Sequence, residues 1–191
     1  MKKPTEQQFS EWAERIGRSD RRAFDDLFRS FYPALIRFAM RYLKDKTVSK
    51  DIVQEVFVSL WQTRKRIDPA RSLKSYLYMM VRNRALNAIR DSSDVYVDHD
   101  LASNEQSDQI DDQQMEPDSD ESELGQMMKK WIDQLPGRQK EALKLSRFEG
   151  LDHDEIAYVM DVSPKTVNNH IVAALRSLRD EYEQYENHSN S

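Results

Sequence analysis

Between Arg90 and Leu124 the chain carries thirteen Asp and Glu and not one Lys or Arg. A segment this acidic, rich in Ser, Gln and Asn and poor in apolar residues, cannot bury enough surface to offset the entropy of ordering its backbone. At more than 30 residues it is also longer than the loops inside compact domains. The chain is therefore not one uniform globule but two units on a tether. Residues 1–90 hold 20 Lys and Arg against 10 Asp and Glu, residues 124–179 hold 9 against 7, and residues 180–191 hold four acids and no base. The net charge of −5 thus conceals a first block of +10, and basic blocks attract polyanions. The expected organisation is a domain over residues 1–91, a flexible acidic linker over 92–123, a second domain over 124–182 and a disordered tail over 183–191.

Composition narrows the class further. The absence of Cys removes disulfide frameworks, thiolate metal sites and cysteine nucleophiles. No run approaches the roughly 20 apolar residues of a membrane span, and the first ten residues lack the apolar core of a signal peptide. A cytoplasmic protein without membrane insertion is expected. Four Gly and six Pro in 191 residues suit helices better than an all-β sandwich. The expected fold is all-α, two small helical domains.

In the first block, Phe9, Trp12, Ala13 and Ile16 recur at helical spacing, with Gly17 as a stop. Asp20 opens a second segment running to about Leu43, in which Pro33 should kink or restart the helix. Ile52, Val53, Val56, Phe57, Leu60 and Trp61 form a two-residue-wide stripe on a third helix, with Ser49 placed to cap it. Its other face shows Asp51, Gln54 and Glu55. In so basic a block that strip is either a solvated face or a docking surface for a basic partner. A loop with three consecutive cations, Arg64, Lys65 and Arg66, and a turn at Asp68-Pro69 lead to a last helix from about Ser72 to Ile89. Leu73, Tyr76, Leu77, Met80 and Val81 are its expected buried face. Around it stand Arg71, Lys74, Arg82 and Arg84, with Asn83 and Tyr78 at the polar side. Cations bind phosphate, Asn can read a base edge, and a Tyr ring can stack on an unpaired base. Tyr76 is read as core; Tyr78 stands between core and stacking.

In the second block, Leu124, Met128, Trp131 and Leu135 mark one helix, and residues 138–149 a second with Gly150 after its end. Asp152 and Glu155 have capping-box spacing. A short helix with Ile156, Ala157 and Met160 ends at Asp161-Val162. Ser163-Pro164 then gives a strong helix start, cap followed by Pro at the first helical position. Val167, Ile171, Leu175 and Leu178 form the expected buried face of that helix. Lys165, Thr166, Asn168, Asn169 and Arg176 lie on the other, beside Ser163. This is the layout of a helix-turn-helix with a polar second helix able to enter a major groove. The turn position often held by Gly is Asp161, one of the residues that best tolerates a left-handed backbone.

Catalysis is not suggested. The His-Asp pairs at residues 99–100 and 153–154 lie in the acidic segment and at a helix cap, and no spacing gathers three ligands on one face. There is no Gly-rich phosphate loop. No catalytic residue, metal or cofactor is expected. A stand-alone helix-turn-helix regulator with a helical effector domain is one reading of this layout, and it would bind duplex DNA by itself.

Four stretches then stand in a familiar order: DIVQEVFVSLW (residues 51–61), SLKSYLYMMVRNRALNAIR (72–90), LPGRQKEALKLSRFEGL (135–151) and EIAYVMDVSPKTVNNHIVAALRSLR (155–179). Their order and spacing resemble bacterial sigma-70 family factors, in the compact extracytoplasmic-function form that keeps only domains 2 and 4; the second stretch looks most like Bacteroidetes members. The resemblance implies that Asp51, Gln54 and Glu55 meet the β′ clamp helices of core RNA polymerase. It implies that residues 64–71 and the following helix open the −10 promoter element, with Asn83 near a flipped base and Lys74, Arg82 and Arg84 on phosphates. It implies that the helix-turn-helix reads the −35 element and touches the β flap, and that an anti-sigma factor holds the protein in check. The acidic linker, nucleic-acid-like in charge, would lie in the basic RNA-exit path.

Overall fold

The computed structural model describes residues 4–93 and 122–189, and every regular element among them is helical. They fall into two compact units, each with its own core. The expected linker lies almost wholly outside the described residues. None of the described helices is long and apolar enough to cross a membrane.

The first unit contains α1 (Glu6–Gly17), α2 (Arg21–Leu43), α3 (Lys46–Gln62), a single 3-10 turn (Arg64–Arg66) and α4 (Leu73–Ser93). Each helix start has a local cause. Thr5 and Gln8 make a reciprocal capping box on α1, Asp20 accepts from the Arg22 and Ala23 amides, and Ser72 accepts from the Ser75 amide. These caps satisfy N–H groups that the helix itself cannot. At α3 the cap is Asp45, which accepts from Thr47 and Val48. The expected cap, Ser49, is buried one turn inside and donates its hydroxyl to the Asp45 carbonyl at 2.6 Å.

Pro33 neither breaks nor restarts α2, which continues through it for 23 residues. An interior Pro costs about 3 kcal/mol. Leu35, Ile36 and Phe38, all beyond Pro33, are buried, and each such side chain contributes roughly 1.5–3 kcal/mol. Burial of the second half of the helix outweighs one lost rung, and Pro33 itself sits on the exposed side.

The core of this unit is layered by α2 against α3 and α4. Leu27, Leu35, Val53, Val56, Leu60, Leu77 and Val81 are fully enclosed. Phe9 connects α1 to it, its ring edge-on to Phe31 at 4.9 Å between centroids.

The second unit contains α5 (Glu123–Gln134), α6 (Gly137–Arg147), α7 (His153–Met160) and α8 (Pro164–Ser189). Pro136 stands at the start of α6, its fixed φ suiting the entry. Gly150, at φ 64°, makes the left-handed corner before α7. The anticipated capping box forms: Asp152 accepts from the Glu155 amide, and Glu155 accepts from the Asp152 amide. Asp161 adopts φ 56°, ψ 53°, the left-handed turn the sequence required of it. Leu175, expected inside, is 41% exposed, and Ala174 is buried in its place. The shift of one position leaves room for α8 to lie close on α6.

The expected disordered tail is helical through Ser189. Tyr182 and Tyr185 pack on the cluster of Trp131, Leu135, Leu143, Ala174 and Leu178. Their spacing continues the apolar face of α8 past residue 178, which supplies the burial the acidic composition of the tail obscured.

Candidate docking and nucleic-acid interfaces

On α3 the apolar stripe is two residues wide because the helix serves two surfaces. Ile52, Val53, Val56 and Leu60 face the core. Phe57 and Trp61 line an apolar hollow with Phe24 and Phe28 of α2; the Phe57 ring meets Phe28 at 4.8 Å and the Trp61 ring meets Phe24 at 5.1 Å. Between the hollow and solvent runs a ridge of Asp51, Gln54, Glu55 and Val58, all exposed. Val58, at the C-terminal end of this row, is 55% exposed, an apolar side chain beside three polar ones. Gln54 donates to the Tyr32 hydroxyl at 3.3 Å. Beyond the ridge lies a second, polar hollow formed by Asp51, Gln54, Glu55, Val58, Ser59 and Arg84. The aromatic hollow was not anticipated. Its signal was the spacing of Phe24 and Phe28, one turn apart and flanking the core position Leu27.

The three cations of the turn after α3 divide by role. Lys65 and Arg66 are exposed. Arg64 is built in: it donates to the Trp61 carbonyl at 2.7 Å and to the Ser19 hydroxyl at 2.9 Å, and its guanidinium lies over the Trp61 ring at 4.5 Å. Ser19 reaches it from a left-handed corner, φ 67°. Arg64 therefore props the turn that presents its neighbours. Arg71 is largely exposed and pairs loosely with Asp68 at 3.5 Å.

Along α4 the expected assignments change. Tyr78 is 1% exposed and packed edge-on against Phe38 at 4.9 Å and near Phe31 at 6.2 Å. Its ring is core and has no face for a base. Tyr76, expected in the core, is the half-buried one. Lys74 and Arg82 are 9% and 6% exposed and engaged within the protein, which leaves little of either cation for a backbone phosphate. Arg84 turns to α3, donating to the Ser59 hydroxyl at 2.6 Å with its Nε 3.8 Å from Glu55. Asn83 is exposed, its amide 3.0 Å from the Met79 sulfur one turn back. Lys65, Arg66, Arg71 and Asn83 thus remain open to a nucleic acid.

In the second unit, Ser163 caps α8 by accepting from the Thr166 amide at 3.1 Å, and its hydroxyl bonds the Thr166 hydroxyl at 2.8 Å. These two residues fix the helix start. Lys165, Asn168, Asn169 and Arg176 are exposed along one side of the helix. Ala157 is buried on α7, which packs against α8. Lys144 is an unforeseen buried cation: it pairs with Asp133 at 3.2 Å and ties α6 to α5. Among the described residues, no group of three or more His, Asp or Glu is placed to hold a metal ion.

Comparison with known proteins bears directly on this geometry. Residues 27–94 match the family model for sigma-70 region 2, and residues 126–178 that for sigma-70 region 4. The RNA polymerase sigma-H factor of Pseudomonas aeruginosa is 28% identical over 188 residues, 91% of this chain and 93% of that protein. The extracytoplasmic-function (ECF) sigma factor RpoE of Cereibacter sphaeroides is 27% identical, over 84% of this chain and 86% of its own length. Among solved structures, CnrH bound to the cytosolic domain of CnrY superposes with a TM-score of 0.61 at 19% identity, covering 93% of this chain and 98% of that one. RpoE of Bartonella quintana bound to the anti-sigma factor NepR gives 0.58 at 20% identity, covering 84% and 96%. The ridged bundle is a sigma region 2 and the helix-turn-helix a sigma region 4, and the chain belongs to the sigma-70 family of RNA polymerase sigma factors, in its compact ECF form.

Proposed function

We propose that the ridge of Asp51, Gln54, Glu55 and Val58 docks this sigma factor on the β′ clamp helices of core polymerase. The observation that carries this reading is an exposed acidic ridge that ends in an apolar residue, set beside an aromatic hollow, in a block whose net charge is +10. Such a ridge complements a basic helix that also carries an apolar side chain, while the surrounding cations stay available for promoter DNA.

Lys65, Arg66 and Arg71 then hold phosphates around the −10 element, and Asn83 meets a base taken out of the stack. Unstacking costs a few kcal/mol per step, which contacts of this kind offset. Lys165, Asn168, Asn169 and Arg176, on a helix start set by Ser163 and Thr166, read the −35 element in the major groove, while the same unit touches the β flap. An anti-sigma factor regulates the protein, as in the complex of the Bartonella relative. The factor acts in the cytoplasm, uses no cofactor and performs no chemistry of its own; the polymerase supplies it. The likeness of the stretch at residues 72–90 to Bacteroidetes members supports the finer reading that this is a Bacteroidetes-like factor.

Reconstitution with core polymerase tests the reading. Alanine at Asp51, Gln54 and Glu55 together is expected to abolish co-elution with core and promoter-directed initiation, with the circular dichroism spectrum retained. Undiminished assembly by that variant would refute the docking assignment.

A further inference from the structure

Arg84 belongs to the −10 helix by sequence, yet the structure ties it to the docking helix. Its Nη2 donates to the Ser59 hydroxyl at 2.6 Å and its Nε stands 3.8 Å from the Glu55 carboxylate. Its side chain is 31% exposed, against 69% for Glu55. The two residues share the walls of the polar hollow with Asp51, Gln54 and Val58. An Arg fork can hold a hydroxyl with one nitrogen and a carboxylate with another.

We infer that Arg84 is a positioning residue of the polymerase-docking surface, holding the Glu55 carboxylate in place on the ridge, and not a promoter phosphate contact. The inference rests on the docking role proposed for the ridge. Glu55 is the most mobile kind of side chain such a ridge could use, long and mostly exposed. Ordering it before binding removes part of the side-chain entropy that association otherwise costs. Ser59 anchors the guanidinium from below, so the charge is braced on α3 and directed along the ridge. Held this way, the guanidinium is withdrawn from the cations that remain open, Lys65, Arg66 and Arg71.

The test measures affinity for core polymerase and, separately, the salt dependence of promoter binding by assembled holoenzyme. Arg84→Ala is expected to weaken core binding about two- to five-fold, the scale of an exposed ion pair. Arg84→Lys, which keeps the charge but not the fork, should fall between it and the native protein. Ser59→Ala removes the anchor without changing any charge and should weaken core binding in the same direction. In a Glu55→Ala background, Arg84→Ala should have no further effect, because it acts through Glu55. The salt slope of promoter binding should keep its native value, whereas a lost phosphate contact reduces it by about one unit.

A reduced salt slope with core affinity intact would overturn the inference while leaving the docking ridge standing. Additive effects of Glu55→Ala and Arg84→Ala would also overturn it. Native core affinity in Glu55→Ala itself would bring down the docking reading and the inference with it.

Discussion

The Tyr185 ring sits edge-on to Trp131, with centroids 5.9 Å apart and planes at 69°. The contact joins the last turns of α8 to α5, across a stretch of sequence that looks like a solvated acidic tail. Tyr185→Ala is expected to destabilise the second unit by about 1–3 kcal/mol, combining lost apolar burial with the aromatic pair. Urea denaturation followed by Trp131 fluorescence measures this. An unchanged midpoint would mean that the end of α8 contributes nothing to the fold.

Tyr76, read as core, is half-buried, and Tyr78, left open between core and stacking, is core. Tyr78→Ala is expected to cost about 3–5 kcal/mol, as for other large aromatic truncations in a core, and to reduce promoter opening only through unfolding. Tyr76→Ala should leave most of the stability intact and slow opening by holoenzyme, since its half-buried ring is the one accessible to a base. Thermal melts together with permanganate footprinting separate the two effects.

Two aspartates set the geometry of the helix-turn-helix by different means. Asp152→Ala removes the cap of α7 and is expected to cost about 1 kcal/mol. Asp161→Gly relieves a left-handed residue and should be neutral or stabilising by up to about 1 kcal/mol, whereas Asp161→Val should destabilise by more than that. Chemical denaturation of the three variants reads these signs directly.

On the exposed side of α8, Asn168→Ala and Arg176→Ala are expected to alter preference at particular upstream base pairs by about 1–3 kcal/mol each. Lys165→Ala should instead weaken all upstream sequences alike, as a phosphate contact does. Initiation from a randomised promoter library, read by transcript sequencing, distinguishes a base reader from a backbone contact.

Acid titrates one corner of the first unit. Hydrogen bonding from the Arg15 guanidinium, and then from the Ala23 amide, holds the Asp20 carboxyl below its ordinary range. A carboxyl lowered by folding contributes stability that is fully present above its unfolded pKa and lost as pH falls through the folded one. Stability should therefore drop below about pH 4, and Asp20→Asn should flatten that limb. Urea midpoints between pH 6 and pH 2 provide the comparison; identical acid limbs in the two proteins would remove Asp20 from the account.

The elements legible in the sequence were those with both a periodic face and a local signal. The capping box of Asp152 and Glu155, the Ser163-Pro164 start and the left-handed Asp161 are short-range chemistry, and each is found where the residues place it. What escaped depends on packing between elements. Pro33 reads as a kink or a restart, and burial of Leu35, Ile36 and Phe38 against other helices carries α2 past it without a restart. Tyr76 and Tyr78 differ by two positions, about 200° around the helix, and which of them is enclosed is decided by Phe31 and Phe38 of α2, which close on Tyr78. Lys74, Arg82 and Arg84 look alike as cations near a polar face. Their direction is decided by what stands opposite, and for Arg84 that is Ser59 on a helix 25 residues earlier.

Helix α8 runs without interruption from Pro164 to Ser189, 26 residues, or about 39 Å at the usual rise. One end displays the polar side chains that Ser163 and Thr166 set in place, and the other is clamped to α5 through Tyr185 and Trp131. The two ends belong to one continuous helix, so the packing that seats Tyr185 on Trp131 also helps set the direction in which the first turns of α8 leave the bundle.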